Sequence, residues 1–356
     1  MKQALLALSL SMILIGCGSD GGGENDDGTR TGHLLFSGIS GVHYETASQS
    51  GTTDSTGAFR YRPGETITFS IGSWIMAQNV QTKDWLSMID FEADALAEVE
   101  SGTLADCYSD QTDNDEELTG LIATDQVLQL SAHSCKEKIV AKQGNIANKL
   151  AFLLTLDSDR ASENGISITQ KVADAITQFE EQNPGVIDSI EWNASQNTEN
   201  TDYFGNPENT ALPEVRLINS ICFPEQSTEV CEDANSGRVI TNGNNATKFL
   251  VSELKAITRY LGEDVFLDQE YYEIPAGDTD VRNSNIRLIR AGRSIQDMEV
   301  VSSDESVVAV QSFSTTDPGI SFYATGSKGQ SATIFVNIRY EGDYRWIRKS
   351  VRVKII

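Results

Sequence analysis

The hydrophobic period of this sequence changes twice along the chain, and that change limits the folds it can adopt. Apolar residues alternate with polar ones over residues 33–79, recur at helical spacing within residues 80–273, and alternate again over residues 274–356. Alternation distributes side chains over the two faces of a strand, whereas recurrence every three or four residues builds one face of a helix. The sequence therefore predicts an α+β multidomain protein with a helical middle region between two β regions.

The first β region consists of short strands separated by tight turns. Three runs of alternating apolar residues contain Tyr44, Phe59 and Phe69, and the sequences DSTG and PGE lie between them. Gly and Pro supply the backbone angles of such turns, so we expect a small β-sandwich. The turn residues Asp54 and Glu65 resemble metal ligands, but we expect them to cap the turns.

Three segments of the middle region have apolar residues at helical spacing. They are residues 138–156, a segment that begins after Thr169 and stops before Pro184, and residues 248–261, which Gly262 terminates. Their apolar faces are expected to form core. The polar stretch between the last two segments is expected to be a loop.

The last region returns to strands. Its phrases SSDESVVAV, GISFYATGSKGQSATIFVNI and SVRVKI resemble the immunoglobulin-like domains of bacterial surface proteins, in which a small-residue turn, here residues 326–329, precedes a strand containing Ile334 and Val336. The resemblance implies an Ig-like β-sandwich and says nothing about a ligand.

The net charge restricts the partners. The formal charge is −25, which argues against nucleic acid because a polyanion would be repelled. Residues 275–356 differ, with 11 Lys and Arg against 9 Asp and Glu. Their basic end consists of Arg345, Arg348, Lys349, Arg352 and Lys354. It could contact lipopolysaccharide, an acidic glycan or the acidic middle region, although a solvated strand face is the simpler expectation.

The first residues predict export and lipid attachment. Lys2 precedes an apolar run, as in a secretory signal, and LIGC at residues 14–17 resembles the lipobox of bacterial lipoproteins. The resemblance implies cleavage before Cys17 and acylation of its thiol. An ordinary secretory signal with an incidental cysteine is the alternative. Gly18 and Ser19 imply the outer membrane by resemblance, at the cell surface or on the periplasmic face.

Four further cysteines predict disulfides. Cys107, Cys135, Cys222 and Cys231 form an even set in a chain routed to an oxidising compartment, and three pairings are possible. We expect Cys107 to pair with Cys135 and Cys222 with Cys231, because each bridge then stays within one region. Each bridge would contribute ~2–4 kcal/mol. Metal binding is the alternative reading of these cysteines.

Several segments resemble known families. Residues 41–72 are similar to carboxypeptidase-regulatory-like modules. GNIANKLAFLLTLDSDRASENGISI, LPEVRLINSIC and FLVSELKAITRYLG, in this order, resemble the N-terminal region of accessory-colonization-factor-D-like lipoproteins, which are mucin-degrading metallopeptidases. The catalytic half of that family depends on a HExxH zinc helix, and this sequence has none. The predicted order is a signal peptide (1–16), a flexible tether (17–32), a β-sandwich module (33–79), a mainly helical region with disulfides (80–273) and an Ig-like β domain (274–356).

Residues suited to catalysis are few. The histidines are His33, His43 and His133, and the sequence contains no GxSxG elbow and no GxxxxGK loop. The acid-rich segment DQTDNDEE is expected to be a solvated loop. In the turn DSDRASENG, Asp157, Asp159 and Glu163 are weak calcium candidates, because their spacing does not follow the EF-hand pattern. Apart from possible calcium, no cofactor is expected.

These observations favour a non-catalytic outer-membrane lipoprotein with a role in adhesion or colonisation. Its expected partners are the membrane, through the lipid anchor, and mucin, another glycan or envelope proteins. The alternative is an accessory subunit or shortened relative of a secreted mucin metallopeptidase system.

Overall fold

A computed structural model describes residues 28–100, 137–196, 203–223, 238–290 and 292–356. It is a mixed α+β structure with N-terminal antiparallel sheets, a helical middle region and C-terminal antiparallel sheets. The predicted signal peptide, Cys17, Cys107, Cys135 and Cys231 lie outside the described residues. Within these ranges, no helix is both long and apolar enough to cross a membrane.

Eight short strands form the N-terminal region. They are β1 (Arg30–Leu34), β2 (Ile39–Ser40), β3 (His43–Thr46), β4 (Ser50–Thr52), β5 (Ala58–Tyr61), β6 (Thr66–Ile71), β7 (Trp74–Gln81) and β8 (Trp85–Leu86). One sheet has the order β4-β3-β6-β7 and is antiparallel; a second has the order β5-β1-β8, with β8 parallel to β1. The three predicted runs of alternating residues correspond to β3, β5 and β6.

The acidic turn residues cap their turns as predicted. Asp54 Oδ1 accepts hydrogen bonds from the amides of Thr56 at 2.8 Å and Ala58 at 3.1 Å. Glu65 Oε2 accepts one from the amide of Arg62 at 3.0 Å. Both carboxylates satisfy backbone donors that the tight turns leave without a strand partner.

Five α-helices that lie wholly within the described residues follow or connect the sheets. They are α1 (Ala93–Glu100), α2 (Gly144–Leu156), α3 (Gln170–Gln182), α4 (Pro213–Ser220) and α5 (Gly243–Gly262). Helix α3 confirms the prediction, since the Thr169 side chain accepts a hydrogen bond from the amide of Val172 and the helix ends before Pro184.

The predicted continuous helix over residues 138–156 is wrong. Residues 137–140 are helical, a turn occupies residues 141–143, and α2 begins at Gly144 after Gln143 adopts an extended backbone. The apolar spacing continues through the turn, which explains why the sequence pattern did not detect it. Helix α5 also begins earlier than predicted, because the Asn242 side chain accepts a hydrogen bond from the amide of Asn244 and caps the helix there.

The C-terminal region contains two four-stranded sheets. Its strands are β10 (Val265–Leu267), β11 (Tyr271–Ile274), β12 (Arg282–Leu288), β13 (Ile295–Ser302), β14 (Val308–Ser314), β15 (Gly319–Ala324), β16 (Ser331–Tyr340) and β17 (Trp346–Ile355). The orders are β10-β12-β15-β14 and β11-β17-β16-β13, and only the β11–β17 pair of these is parallel. Strands β10 and β11 thus include residues before the predicted boundary at residue 274.

Two hydrophobic cores organise the described residues, and α5 belongs to both. The first core joins N-terminal strands to the helices, and a two-residue strand, β9 (Ile166–Ser167), also pairs in parallel with β2. The second core lies between the C-terminal sheets. Helix α5 contributes Leu250 and Leu254 to the first core and Ile257 and Leu261 to the second. The helix therefore fixes the C-terminal sheets against the rest of the described chain.

A buried set of charges, here called the central ion cluster, makes the same connection. The cluster consists of Ser87, Asp90, Asp343, Tyr344 and Arg345. Arg345 Nη1 lies 3.1 Å from Asp343 Oδ1, and the hydroxyls of Ser87 and Tyr344 share a hydrogen bond of 2.9 Å. The Arg345 side chain is fully buried. Such a cluster fixes the geometry of the contact, because each charge needs its partner once water is excluded.

Candidate functional site

An open cleft lies where the N-terminal sheet, the end of α5 and the segment between β12 and β13 meet. Two adjoining cavities of about 350 and 420 Å³ form it and share Arg30, Asp84 and Arg293. We call this site the arginine cleft. Its walls come from segments far apart in sequence, which the second core and the central ion cluster hold together.

Aromatic side chains form one wall of the cleft. His33 on β1 and Trp85 on β8 are partners in the parallel pairing, and their rings stack with centroids 4.7 Å apart. The amide of His33 donates to the carbonyl of Asp84 at 2.9 Å, which fixes this register. Tyr260, in the last turn of α5, meets Trp85 edge to face at 5.4 Å, and Phe36 stacks on Trp85 at 5.6 Å.

Arg290 extends this wall with a cation. Its Nη2 donates to the Tyr260 hydroxyl at 2.9 Å, and its guanidinium carbon lies 5.3 Å from the centre of the Tyr260 ring. Its Nε is 3.3 Å from Asp264 Oδ2. The side chain is 38% exposed, so the guanidinium is oriented by two partners and still reaches solvent.

Arg293 lies deeper in the cleft and is held by Asp84. Its Nη2 is 2.7 Å from Asp84 Oδ2, and its guanidinium carbon is 4.8 Å from the centre of the Tyr340 ring. Arg293 Nε is buried and makes no hydrogen bond with another described residue. Asp84 Oδ1 accepts a hydrogen bond from the Tyr61 hydroxyl at 2.8 Å. Burial and the Asp84 charge raise the pKa of Tyr61, so this phenol stays protonated.

The smaller cavity is cationic in a strongly acidic protein. Three arginines, Arg30, Arg290 and Arg293, line it together with one carboxylate, Asp84. Asp264, which does not line the cavity, also pairs with Arg290 and offsets part of its charge. Arg30 is exposed and forms no ion pair with another residue in the described ranges. The cleft can therefore orient an anionic group beside an aromatic surface.

Asp157 and Asp159 interact through their side chains, but the three calcium candidates do not form one group. Asp157 Oδ1 accepts from the amide of Ser167 at 2.9 Å, and burial raises the pKa of Asp157. Asp159 accepts from the Asn164 side chain at 3.1 Å, and this hydrogen bond lowers its pKa. Among the residues that the structure describes, no three or more His, Cys, Asp or Glu side chains are grouped so as to hold a metal, Glu163 included. Calcium binding at this turn stays a prediction.

The remaining candidates have separate locations. Cys222 lies two residues after the end of α4 and is disulfide-bonded. The other cysteines lie outside the described residues, so the expected pairing stays a prediction. His43 is exposed on β3, and His133 lies outside the described ranges. Of the two histidines that the structure describes, His33 lines the cleft and His43 does not.

The residues of the predicted basic end lie in different environments, some buried and some exposed. Arg345 is buried in the central ion cluster, so it is not available to an external glycan or lipopolysaccharide. Arg352 and Lys354 are exposed on alternate positions of β17, as a solvated strand face requires. The simpler expectation of a solvated strand face is therefore wrong for Arg345, because its guanidinium is buried 3.5 Å from the carboxylate of Asp90, which belongs to the predicted middle region.

The cleft itself was not predicted from the sequence. Its walls are assembled by tertiary contacts between residues such as His33 and Tyr260, which no local pattern connects. One signal was present: the segment RLIRAGR places three arginines within seven residues of an otherwise acidic chain. Two of these, Arg290 and Arg293, line the cleft.

No family model matches the chain, and a search of curated proteins also found no match.

Proposed function

We propose that this protein is a non-catalytic outer-membrane lipoprotein, anchored through Cys17, that serves adhesion or colonisation at the cell surface. The arginine cleft carries this proposal. It is open and aromatic, and its charged groups are held by fixed partners such as Asp84 and Asp264. Groups held in this way are suited to retaining a ligand by charge and shape. The lipobox resemblance and the polar tether supply the anchor and its reach.

We also propose the finer fold assignments. Residues 33–79 would form a carboxypeptidase-regulatory-like β-sandwich and residues 274–356 an Ig-like β-sandwich, in a relative of the N-terminal region of accessory-colonization-factor-D-like lipoproteins that lacks the zinc peptidase domain. The C-terminal part is supported by two four-stranded sheets whose apolar residues share one core, since face-to-face packing of two sheets is the basis of a sandwich.

The second candidate function is an accessory role in a mucin metallopeptidase system, with the zinc enzyme supplied by another chain. The ordered resemblance of the middle segments to that family favours it. In this case a stable peptidase partner would be expected, and the cleft would contact that partner or its substrate.

Binding and co-purification distinguish the two functions. The full chain is immobilised and tested for binding to mucin and to host cells, and the same chain is recovered from cell envelopes with its partners. Direct binding without a peptidase partner supports adhesion, whereas a peptidase partner without glycan binding supports the accessory role. Cleavage of mucin by the purified protein alone would contradict both.

Attachment is tested separately by palmitate labelling, together with surface proteolysis of intact cells. The Cys17→Ser variant should lose both the label and membrane retention. Retention without label in both forms would refute the anchor, and protection from protease would indicate the periplasmic face.

A further inference from the structure

We infer that the arginine cleft binds a carboxylate-bearing sugar, such as a terminal sialic acid or a hexuronic acid. This inference rests on the proposed adhesive function and adds the class of ligand. Three observations support it: the aromatic wall, the unused donors of the arginines, and the partial compensation of their charge.

The aromatic wall matches a sugar ring. Within the cleft, His33 and Tyr260 contact Trp85, which is 9% exposed, from different directions. An amphipathic ring can bury its apolar face against such a wall while its hydroxyls remain in water.

The arginines retain donors for a carboxylate. A guanidinium has five N–H groups. The contacts of Arg290 to Tyr260 and Asp264 engage Nη2 and Nε, so its Nη1 remains for a ligand, and the side chain is 38% exposed. Arg30 is exposed beside them. Planar guanidinium groups bind carboxylates in a bidentate manner, which also fixes the orientation of the ring that bears the carboxylate.

The charge balance favours a singly charged ligand. Asp84 lies between the two cavities, and Glu341 and Asp343 line the larger one. These carboxylates would repel the second charge of a phosphate monoester more than the single charge of a sugar acid. The cavity of about 350 Å³ falls within the range of small-ligand sites, and the adjoining one leaves room for the next sugar of a chain.

The test measures binding of defined sugars to the full chain by calorimetry. The probes are sialyllactose, a glucuronate-containing disaccharide, neutral lactose, sulfated lactose and inorganic phosphate. We expect at least one sugar acid to bind at least about tenfold more tightly than lactose, because a charge-assisted hydrogen bond is lost in the neutral sugar. The two sugar acids identify the source of the carboxylate. The inference would be overturned if lactose bound as tightly as the sugar acids, or if neither sugar acid bound. It would also be overturned if sulfated lactose or phosphate bound more tightly than the sugar acids.

Two matched variants locate the site. Arg30→Gln removes an exposed cleft arginine and should weaken sugar-acid binding at least about tenfold. Arg287→Gln removes an arginine on β12 that is 74% exposed and pairs with Asp268 outside the cleft, and should leave affinity unchanged. If both variants bind like the unmodified chain, the ligand binds elsewhere and the inference fails. Because Arg30 is exposed, this result does not depend on a substitution in the core.

Failure of the inference is distinguishable from failure of the adhesive function. If the chain still binds mucin after the sugar acids have been removed from the mucin, and the Arg30→Gln variant also still binds, the adhesive function stands and this ligand is excluded. If calorimetry shows that a sugar acid binds but the chain does not attach to mucin or to cells, the cleft is still a sugar-acid site and adhesion to those surfaces is excluded.

Discussion

The guanidinium of Arg345 lies 3.5 Å from the carboxylate of Asp90, and neither side chain is more than 1% exposed. Arg345 directly precedes β17, whereas Asp90 follows β8, so the pair joins the C-terminal sheets to the N-terminal region. Lys83 Nζ approaches the other oxygen of Asp90 at 2.6 Å. This pair gives a direct way to test whether the two regions are held as one unit.

Removing the buried guanidinium should be strongly destabilising. We expect Arg345→Met to lower the free energy of unfolding by about 3–5 kcal/mol, because Asp343 then loses its nearest counter-charge and the buried Asp90 keeps Lys83 but loses Arg345. Urea denaturation measures the change. The control is Arg287→Gln, whose exposed pair with Asp268 should contribute at most about 1 kcal/mol. Similar losses in the two variants would refute the importance of the cluster.

The stability of the protein should depend on pH through Glu137. Loss of hydration on burial raises the pKa of Glu137 to about 8, although the charge of Arg345 opposes the shift; Asp343 and Asp90 add to it. Between its usual pKa near 4.5 and about pH 8, the folded chain keeps a proton that the unfolded chain has lost. The contribution of Glu137 to stability is therefore complete below that usual pKa and is lost as pH rises to about 8.

The measurement compares unfolding free energies at about pH 5 and pH 8 in the unmodified chain and in Glu137→Gln. The variant should lose less stability over this interval, because glutamine does not titrate. An identical decrease in both proteins would show that other groups cause it.

Helix α5 should couple the two cores in one unfolding transition. Leu250 is fully buried in the first core and Leu261 is 1% exposed in the second. Leu250→Ala and Leu261→Ala should each cost about 2–5 kcal/mol, from lost burial and the cavity left behind. Both should lower the midpoint of the same calorimetric transition. Arg259→Ala, at an exposed position of the helix, is the control and should change stability little. Two transitions, each sensitive to one leucine only, would contradict the coupling.

Gly41 should be intolerant of any side chain. It has a φ of +79°, and an added Cβ would collide with the carbonyl oxygen of Ile168, directly after the β9 strand. We expect Gly41→Ala to cost about 3 kcal/mol or more, since the backbone strain adds to the collision. Gly64 is the matched control, with a φ of +90° and open space around it, and Gly64→Ala should cost about 1–2 kcal/mol. Thermal melts compare the two; equal losses would mean that the contact with Ile168 is unimportant.

Local signals in the sequence predicted local structure. The alternating residues around Phe69 and the cap at Thr169 specify their elements through neighbouring residues alone, and the structure contains both. The turn at residues 141–143 was missed because Ile139 and Ile146 keep a helical spacing across it. The backbone change at Gln143 breaks the helix, and the local signal for it is Gly144, which directly follows.

The cleft could not be predicted in the same way, for a physical reason. His33 and Trp85 become neighbours only when β8 pairs in parallel with β1, and Arg290 reaches Tyr260 only when α5 packs on the C-terminal sheets. Each contact depends on long-range pairing rather than on spacing. The polar residues of the cleft also look like ordinary surface residues in sequence, because their partners come from other segments.

The placement of β1 has a mechanical consequence. This strand begins at Arg30, so the prediction that the tether extends to residue 32 is wrong, and it lies between β5 and β8 in the middle of its sheet. Drawing β1 out of its sheet would break backbone hydrogen bonds on both of its edges, to β5 and to β8. A force applied through the residues before β1 would thus meet a strand paired on both edges, rather than an edge strand held on one side only.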